Sequence, residues 1–191
     1  MSIFSKIFGS SASPSLTRYE VGLVLAGSLI EGGDPNGLSS AESEFLQVAG
    51  ISHGAYVQER FVLRASAASV SMVELLPTEA IRHEVGRGFL KWFADNAARS
   101  DQNALVAVLF KKRLPAYLVA AQQDRSKTPE PESLHFSQVS GRFAAHLLER
   151  CESAGVAEAL CELFAVAATP VYWSAQRAAT EALFRRVELI A

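Results

Sequence analysis

Apolar residues along most of the chain recur at steps of three and four positions, the spacing of one face of an α-helix. The clearest stripe lies within residues 133–150 and consists of Phe136, Val139, Phe143, Leu147 and Leu148. Ser133 is a candidate N-cap for this segment, and Gly155 is a candidate stop signal after it. We therefore predict a helix over residues 133–150.

Capping residues indicate where two other helices begin. Ser39, followed three positions later by Glu42, forms a capping-box pattern. The triplet PTE at residues 77–79 is a second start signal, because it combines a proline with a threonine cap and an acidic first turn. We predict that helices follow both signals.

A third start signal lies near the C-terminus, where Thr169 precedes Pro170. Proline is favoured at the first helical position, because it has no N–H to leave unpaired and its φ is already helical. This pair predicts a last helix from Pro170 to about Leu189, separate from an alanine-rich helix over residues 156–168.

The remaining segments are also predicted to be helical. Residues 16–30 are apolar almost all round, and a helix starting at residue 100 or 101 should be kinked or broken by Pro115. Residues 54–76 and 104–110 have some strand character, but their length and their few turn signals favour helix.

The predicted fold is all-α: a single-domain helical bundle of about seven or eight helices with a short N-terminal amphipathic segment. Residues 124–133 (DRSKTPEPES) contain two prolines and mixed charge, and they are the best linker candidate. The expected organisation is an N-terminal segment and tether (1–15), a helical core (16–123), a linker loop (124–133) and C-terminal helices (134–191) packing on the core.

The N-terminal stretch SIFSKIF is a candidate partner-binding element. Its apolar residues share one helical face and are Ile3, Phe4, Ile7 and Phe8. A helix this short is unstable alone in water, so it needs its own core, a second subunit or a membrane to bind. Lys6 is the only charge, so attachment to a membrane surface is not favoured, and we expect docking on protein.

Bulk composition excludes several classes of protein. The 191 residues include 18 basic and 20 acidic side chains, so the chain offers no general electrostatic attraction for nucleic acid. Cys151 and Cys161 form no disulfide framework and no metal-binding motif. The start of the chain lacks the pattern of a secretory signal, and no apolar run reaches the ~20 residues of a membrane span, so we expect a cytoplasmic protein.

Residues 29–46 (LIEGGDPNGLSSAESEFL) raise the question of a cation site. A calcium loop starting at Asp34 would need glycine at its sixth position and glutamate at its twelfth, where this chain has Ser39 and Phe45. The acidic residues Glu42 and Glu44 instead suit the first turn of a helix. We interpret the stretch as a helix connector, and we predict no metal and no cofactor.

Three polar groupings remain as candidates. Glu79 and His83 are one helical turn apart, as are Arg142 and His146, so either pair could support acid–base chemistry or lie at the mouth of a pocket. The basic cluster Lys111, Lys112 and Arg113 could contact an anion or an acidic partner, although basic residues also suit helix ends.

Nucleotide-binding, serine-hydrolase and zinc-protease motifs are all missing from the sequence. We therefore expect a non-catalytic helical protein-interaction module, such as a regulator, adaptor or immunity-type protein, that binds a protein partner or itself. The alternative is a bundle that binds a small molecule or acyl chain, or an enzyme with a non-motif site, in a cavity between aromatic residues. Those residues would be drawn from Phe89, Trp92, Phe93, Tyr117, Phe143, Tyr172 and Trp173.

Overall fold

The computed structural model describes residues 15–31, 37–127, 136–151 and 157–190. Within these ranges the helices are α1 (Arg18–Glu31), α2 (Ser40–Ala49), α3 (His53–Leu75), α4 (Glu79–Ala97), α5 (Asp101–Lys127), α6 (Ser137–Leu148) and α7 (Ala157–Arg186). Two three-residue strands, β1 (Ser15–Thr17) and β2 (Glu188–Ile190), pair in parallel. The predicted all-α, single-domain fold is confirmed, and residues 54–76 and 104–110 are helical apart from Leu76.

Helix α3 lies at the centre of the bundle and contacts α5 and α7 most extensively. Its residues 65–72 are buried without interruption, because neighbouring helices cover it on several sides. Small side chains dominate this stretch, which lets the surrounding helices approach closely. A helix buried all round cannot show an amphipathic period, which explains why its sequence pattern was ambiguous.

Helices α1 and α4 cross at two glycines. A Cβ atom on Gly22 would collide with the backbone oxygen of Val85, and one on Gly88 would collide with the backbone oxygen of Tyr19. Gly88 belongs to the Gly86-Arg87-Gly88 stretch, and its role here is to allow close helix packing. A Cβ atom on Gly86 would meet nothing within 4 Å.

Local capping signals identify helix starts correctly. The Ser39 side chain accepts a hydrogen bond from the Glu42 backbone N–H, and the Glu42 carboxylate accepts one from the Ser39 backbone N–H, so the predicted capping box is present. Thr78 caps α4 through the backbone N–H of Ile81. Gly50 ends α2 in a left-handed conformation, with φ of 66°.

The helix start predicted at Pro170 is wrong, because α7 runs through this proline without interruption. Pro115 likewise lies inside α5 and does not end it. An internal proline costs about 3 kcal/mol and leaves the carbonyl four residues earlier unpaired. Val166 lies at that position for Pro170 and is exposed, so water can bind the freed carbonyl, while the buried residues on either side keep the helix continuous.

Helix α6 begins at Ser137 and not at Ser133, and its start is fixed by a residue of α5. The buried Asp124 carboxylate accepts hydrogen bonds from the Ser137 hydroxyl (3.0 Å) and from the backbone N–H groups of Gln138 and Val139. Helix α5 itself extends to Lys127, so the first four residues of the predicted linker 124–133 are helical. Residues 128–133 lie outside the described ranges.

Candidate functional site

Two ion-paired clusters lie inside the bundle, and the first is centred on Glu59 of α3. Its side chain is fully buried, and its Oε1 atom lies 2.8 Å from Arg113 Nη2 of α5 and 2.8 Å from Arg150 Nε. Arg113 Nη2 also lies 3.2 Å from Glu149 Oε2. Burial raises the pKa of Glu59, and the two guanidinium groups oppose that shift.

His146 and Tyr117 adjoin this cluster. Their ring centroids are 5.4 Å apart in an edge-to-face arrangement, and His146 Nδ1 lies 3.6 Å from Glu149 Oε1. Burial and the nearby Arg113 charge lower the pKa of His146 to about 4. The imidazole is therefore neutral near pH 7, which avoids adding a third positive charge beside Arg113 and Arg150.

The second cluster is centred on Glu42, the capping-box residue of α2. Its Oε1 atom accepts hydrogen bonds from the hydroxyls of Tyr56 (2.6 Å) and Tyr172, and from Arg60 Nη1 (3.1 Å). Burial tends to raise the pKa of Glu42, but hydrogen bonds from Tyr172, Tyr56 and Ser39 hold it at about 2. This cluster joins α2, α3 and α7, so it stabilises the fold.

A cavity of about 380 Å³ lies on another side of α3, between its first half, the end of α4 and the start of α5. Its aromatic wall is formed by Phe61, Trp92 and Phe93. The Phe93 ring contacts Trp92 and Phe61 edge to face, with centroid separations of 5.4 and 5.8 Å. The volume falls within the range of small-molecule sites.

The polar edge of this cavity consists of carboxamides and one imidazole, which belong to Gln58, Asn96, Gln102, Asn103 and His53. Asn96 Nδ2 donates to the Trp92 backbone oxygen (2.8 Å), and Asn103 Nδ2 donates to the Asn96 backbone oxygen (3.1 Å). These bonds use the amide nitrogens and leave the Oδ1 atoms of both asparagines as acceptors. The lining residues include no aspartate, glutamate, lysine or arginine.

Helix α7 exposes a long surface that carries no charge. We define the α7 outer face as Ala159, Leu163, Val166, Ala167, Pro170, Val171, Ser174 and Ala178. Leu163, Val166 and Val171 are 71%, 62% and 64% exposed. The face is about 28 Å long at 1.5 Å per residue. Exposed helix faces normally carry charged residues, so an uncharged face of this length is typical of an interaction surface.

The structure separates the members of the predicted basic cluster. Lys111 and Lys112 are exposed on α5, whereas Arg113 is buried and paired with Glu59 and Glu149. Arg113 therefore cannot reach an external anion or acidic partner without breaking internal ion pairs.

The two predicted histidine pairs lie in different surroundings. Glu79 and His83 are exposed on the first turns of α4, away from the cavity lining. Arg142 is exposed, while His146 turns toward Tyr117 and Glu149. Neither pair lies at the mouth of this cavity.

The predicted partner-binding residues lie outside the described residues, and they are Ile3, Phe4, Ile7 and Phe8. Asp34 and Asn36 of the predicted helix connector also lie outside them. Sequence reasoning identified Trp92 and Phe93 as possible cavity residues but missed the amides beside them. A signal was present, because Val57 and Phe61 are four positions apart, as are Trp92 and Asn96, so each pair shares one face of a helix.

In the described parts of the chain no helix is long and apolar enough to cross a membrane, and no group of three histidine, cysteine or acidic side chains could hold a metal ion. Comparison of the whole chain with protein-family models, curated proteins and solved structures finds no match.

Proposed function

We propose that this protein is a non-catalytic protein-interaction module that associates with a second copy of itself through the α7 outer face. The observation that carries the proposal is the α7 outer face, a set of apolar and small residues that includes no charge and is exposed apart from the half-buried Pro170. Burying such a surface removes apolar area from water at little desolvation cost. The same surface left in water would favour non-specific association.

The charges at the two ends of α7 support pairing between antiparallel copies. Glu158 lies in the first turn, whereas Arg185 and Arg186 lie in the last turn. When two copies of α7 pack antiparallel, the acidic end of each lies near the basic end of the other. The two helix dipoles are also opposed in this arrangement, which is favourable.

The size distribution along the face also suits helix–helix packing. Ala167, Ser174 and Ala178 are small and leave space between the larger side chains of Leu163, Val166 and Val171. Large residues of one helix can enter such spaces on another, as in ridge-into-groove packing. The face has no lysine or arginine to strengthen attachment to an anionic membrane surface, which favours a protein partner.

Sedimentation velocity over a wide range of concentration tests this proposal. We expect the wild-type chain to form dimers, and the double variant Leu163→Glu, Val166→Glu to remain monomeric. Leu90 and Val73 provide matched control positions, because they are 49% and 52% exposed on other helices. The double variant Leu90→Glu, Val73→Glu should dimerise like the wild type.

A wild-type chain that stays monomeric at every concentration contradicts the proposal. Removal of residues 1–14 then identifies the competing occupant. Ser15 pairs with Glu188, so Ser15 lies near the C-terminal end of α7. If the truncated chain dimerises while the full chain does not, the predicted N-terminal element covers this face in place of a second copy.

A further inference from the structure

We propose that the cavity between α3, α4 and α5 binds a small, uncharged aromatic or heteroaromatic molecule that carries an N–H or O–H donor on its edge. This binding activity is independent of the α7 outer face. It rests on the shape of the cavity, on the absence of charge in its lining and on the acceptors that its asparagine side chains present.

The shape of the site favours a flat ring. Phe61, Trp92 and Phe93 form one wall, and Val57 and Val106 add apolar surface. Aromatic side chains pair favourably with other rings in stacked or edge-to-face arrangements. A volume of about 380 Å³ accommodates a one- or two-ring molecule and is small for a long acyl chain.

The charge of the site favours a neutral ligand. The charged residues of α3 that lie close in sequence to the cavity residue Gln58 are Glu59 and Arg60, and both have ion-pair partners elsewhere in the bundle. The cavity lining contains no aspartate, glutamate, lysine or arginine, and His53 is its one titratable side chain. Moving a charged group from water into such a site is unfavourable.

Hydrogen bonding sets the orientation and the donor requirement. The amide nitrogens of Asn96 and Asn103 already donate to backbone oxygens, which fixes their orientation and leaves each Oδ1 atom able to accept. A ligand with an N–H or O–H group on its edge satisfies such an acceptor. A ligand of the same shape without a donor displaces water from the acceptor and forms no hydrogen bond with it, so the acceptor is left unpaired.

Proton–nitrogen correlation NMR with indole as the probe tests the site, and the protein provides its own control. Its two tryptophans give two indole N–H signals. Trp92 lines the cavity, whereas Trp173 is buried on the inner side of α7. We expect titration with indole to shift the Trp92 signal and to leave the Trp173 signal in place. An unmoved Trp92 signal at saturating indole overturns the proposal.

Two relatives of indole test the chemical class. Benzofuran has the same shape but no donor, and we expect it to bind about tenfold more weakly. Indole-3-acetate keeps the donor and adds a negative charge, and we expect it to bind more weakly than indole. Equal affinity of benzofuran, or tighter binding of indole-3-acetate, contradicts the proposed ligand class.

A cavity-filling variant locates the binding. Gly54 lines the cavity, and a Cβ atom added there meets nothing within 4 Å, so we choose Gly54→Leu to place a larger side chain at the cavity. Gly141 is also an unobstructed helical glycine and lies on α6, so Gly141→Leu is the matched control. We expect Gly54→Leu to lose indole binding and Gly141→Leu to retain it. Equal binding by both variants places indole elsewhere and overturns the proposal.

Discussion

The central helix α3 uses its polar residues differently on its two sides. Away from the cavity, Glu59 and Arg60 are buried: Glu59 pairs with Arg113, while Arg60 pairs with Glu42 and lies over the Tyr172 ring. On the other side, Gln58 lies at a cavity with Val57 and Phe61, where no charged side chain takes part. The ion-paired side fixes the positions of the helices, and the uncharged side leaves space and hydrogen-bond acceptors for a ligand.

This difference teaches how to interpret polar residues in a helical bundle without a recognisable motif. A buried charge requires a partner, so we interpret the Glu59–Arg113 pair as a contact that holds α3 and α5 together. Neutral amides can exchange water for a ligand at small cost. Substitutions on the ion-paired side should therefore change stability, and those on the cavity side should change binding.

The largest expected effect is the loss of Glu59. The variant Glu59→Ala leaves the buried Arg113 and the half-buried Arg150 without their shared carboxylate oxygen, and we expect the free energy of unfolding to fall by about 3–5 kcal/mol. Urea unfolding followed by far-ultraviolet circular dichroism measures this change. Glu84→Ala, at an exposed glutamate inside α4, should change it by less than about 0.5 kcal/mol. Similar values for the two variants would show that the ion-paired side does not fix the fold.

The next effect is a dependence of stability on pH. The pKa of His146 is lowered from 6.5 to about 4 in the folded state, so the unfolded chain binds this proton first as the pH falls. Its contribution is fully present above pH 6.5 and is lost between pH 6.5 and about 4, by at most about 3 kcal/mol, because water screens the partly exposed imidazole.

Urea unfolding of the wild type and of the variant His146→Leu at a series of pH values measures this dependence of stability on pH. The difference in unfolding free energy between the two proteins should vary with pH between 6.5 and 4. A difference that does not vary with pH would show that His146 titrates alike in the folded and unfolded chains.

A smaller effect is expected from the second cluster. Tyr172→Phe removes one hydroxyl donor to Glu42 and should lower the unfolding free energy by about 1–2 kcal/mol. The folded pKa of Glu42 should then rise from about 2, so less stability is lost as the pH falls from 4.5 toward 2.

Tyr19→Phe is the matched control for this prediction, because no hydrogen bond of the Tyr19 hydroxyl is seen in the described residues. Thermal unfolding at pH 7 and at pH 3 compares the two variants. If Tyr19→Phe is as destabilising as Tyr172→Phe, the hydroxyl contact with Glu42 does not account for the effect.

The smallest effect on stability should come from the cavity side. Asn96→Ala removes a half-buried amide that donates to the Trp92 backbone oxygen of its own helix, and we expect it to cost about 0.5–1 kcal/mol. Its effect on binding should be much larger, with the indole-induced shift of the Trp92 signal lost. Calorimetric unfolding and the NMR titration on the same sample separate the effect on stability from the effect on indole binding. Unchanged indole binding would remove Asn96 from the proposed site.

Features encoded within a few residues were predictable from the sequence. The capping box of Ser39 and Glu42 and the threonine cap at Thr78 depend on groups three positions apart, and both are present. Pro170 was misinterpreted because its local preference for a helix start is outweighed by packing along the whole buried stripe of α7. The start of α6 could not be read locally, since its capping carboxylate comes from Asp124 of another helix.

The ion-paired clusters and the cavity depend on tertiary contacts that the sequence does not reveal. Glu59 and Arg150 are 91 positions apart, so nothing local links them. Arg113 resembled an exposed basic residue because it adjoins Lys111 and Lys112, and only the packing of α5 on α3 shows that it is buried. The N-terminal residues Ile3, Phe4, Ile7 and Phe8 remain a prediction.

We propose that two copies of this protein recognise each other through an uncharged surface, the α7 outer face. Sedimentation equilibrium at low salt and at about 1 M NaCl tests it directly, because the Debye length at the higher salt is only about 3 Å. We predict that the wild-type dimer persists at high salt, since apolar burial supplies most of the affinity and the charges at the two ends of α7 add only a contribution that salt screens. A dimer that dissociates at high salt, or no dimer at either salt concentration, would contradict the claim.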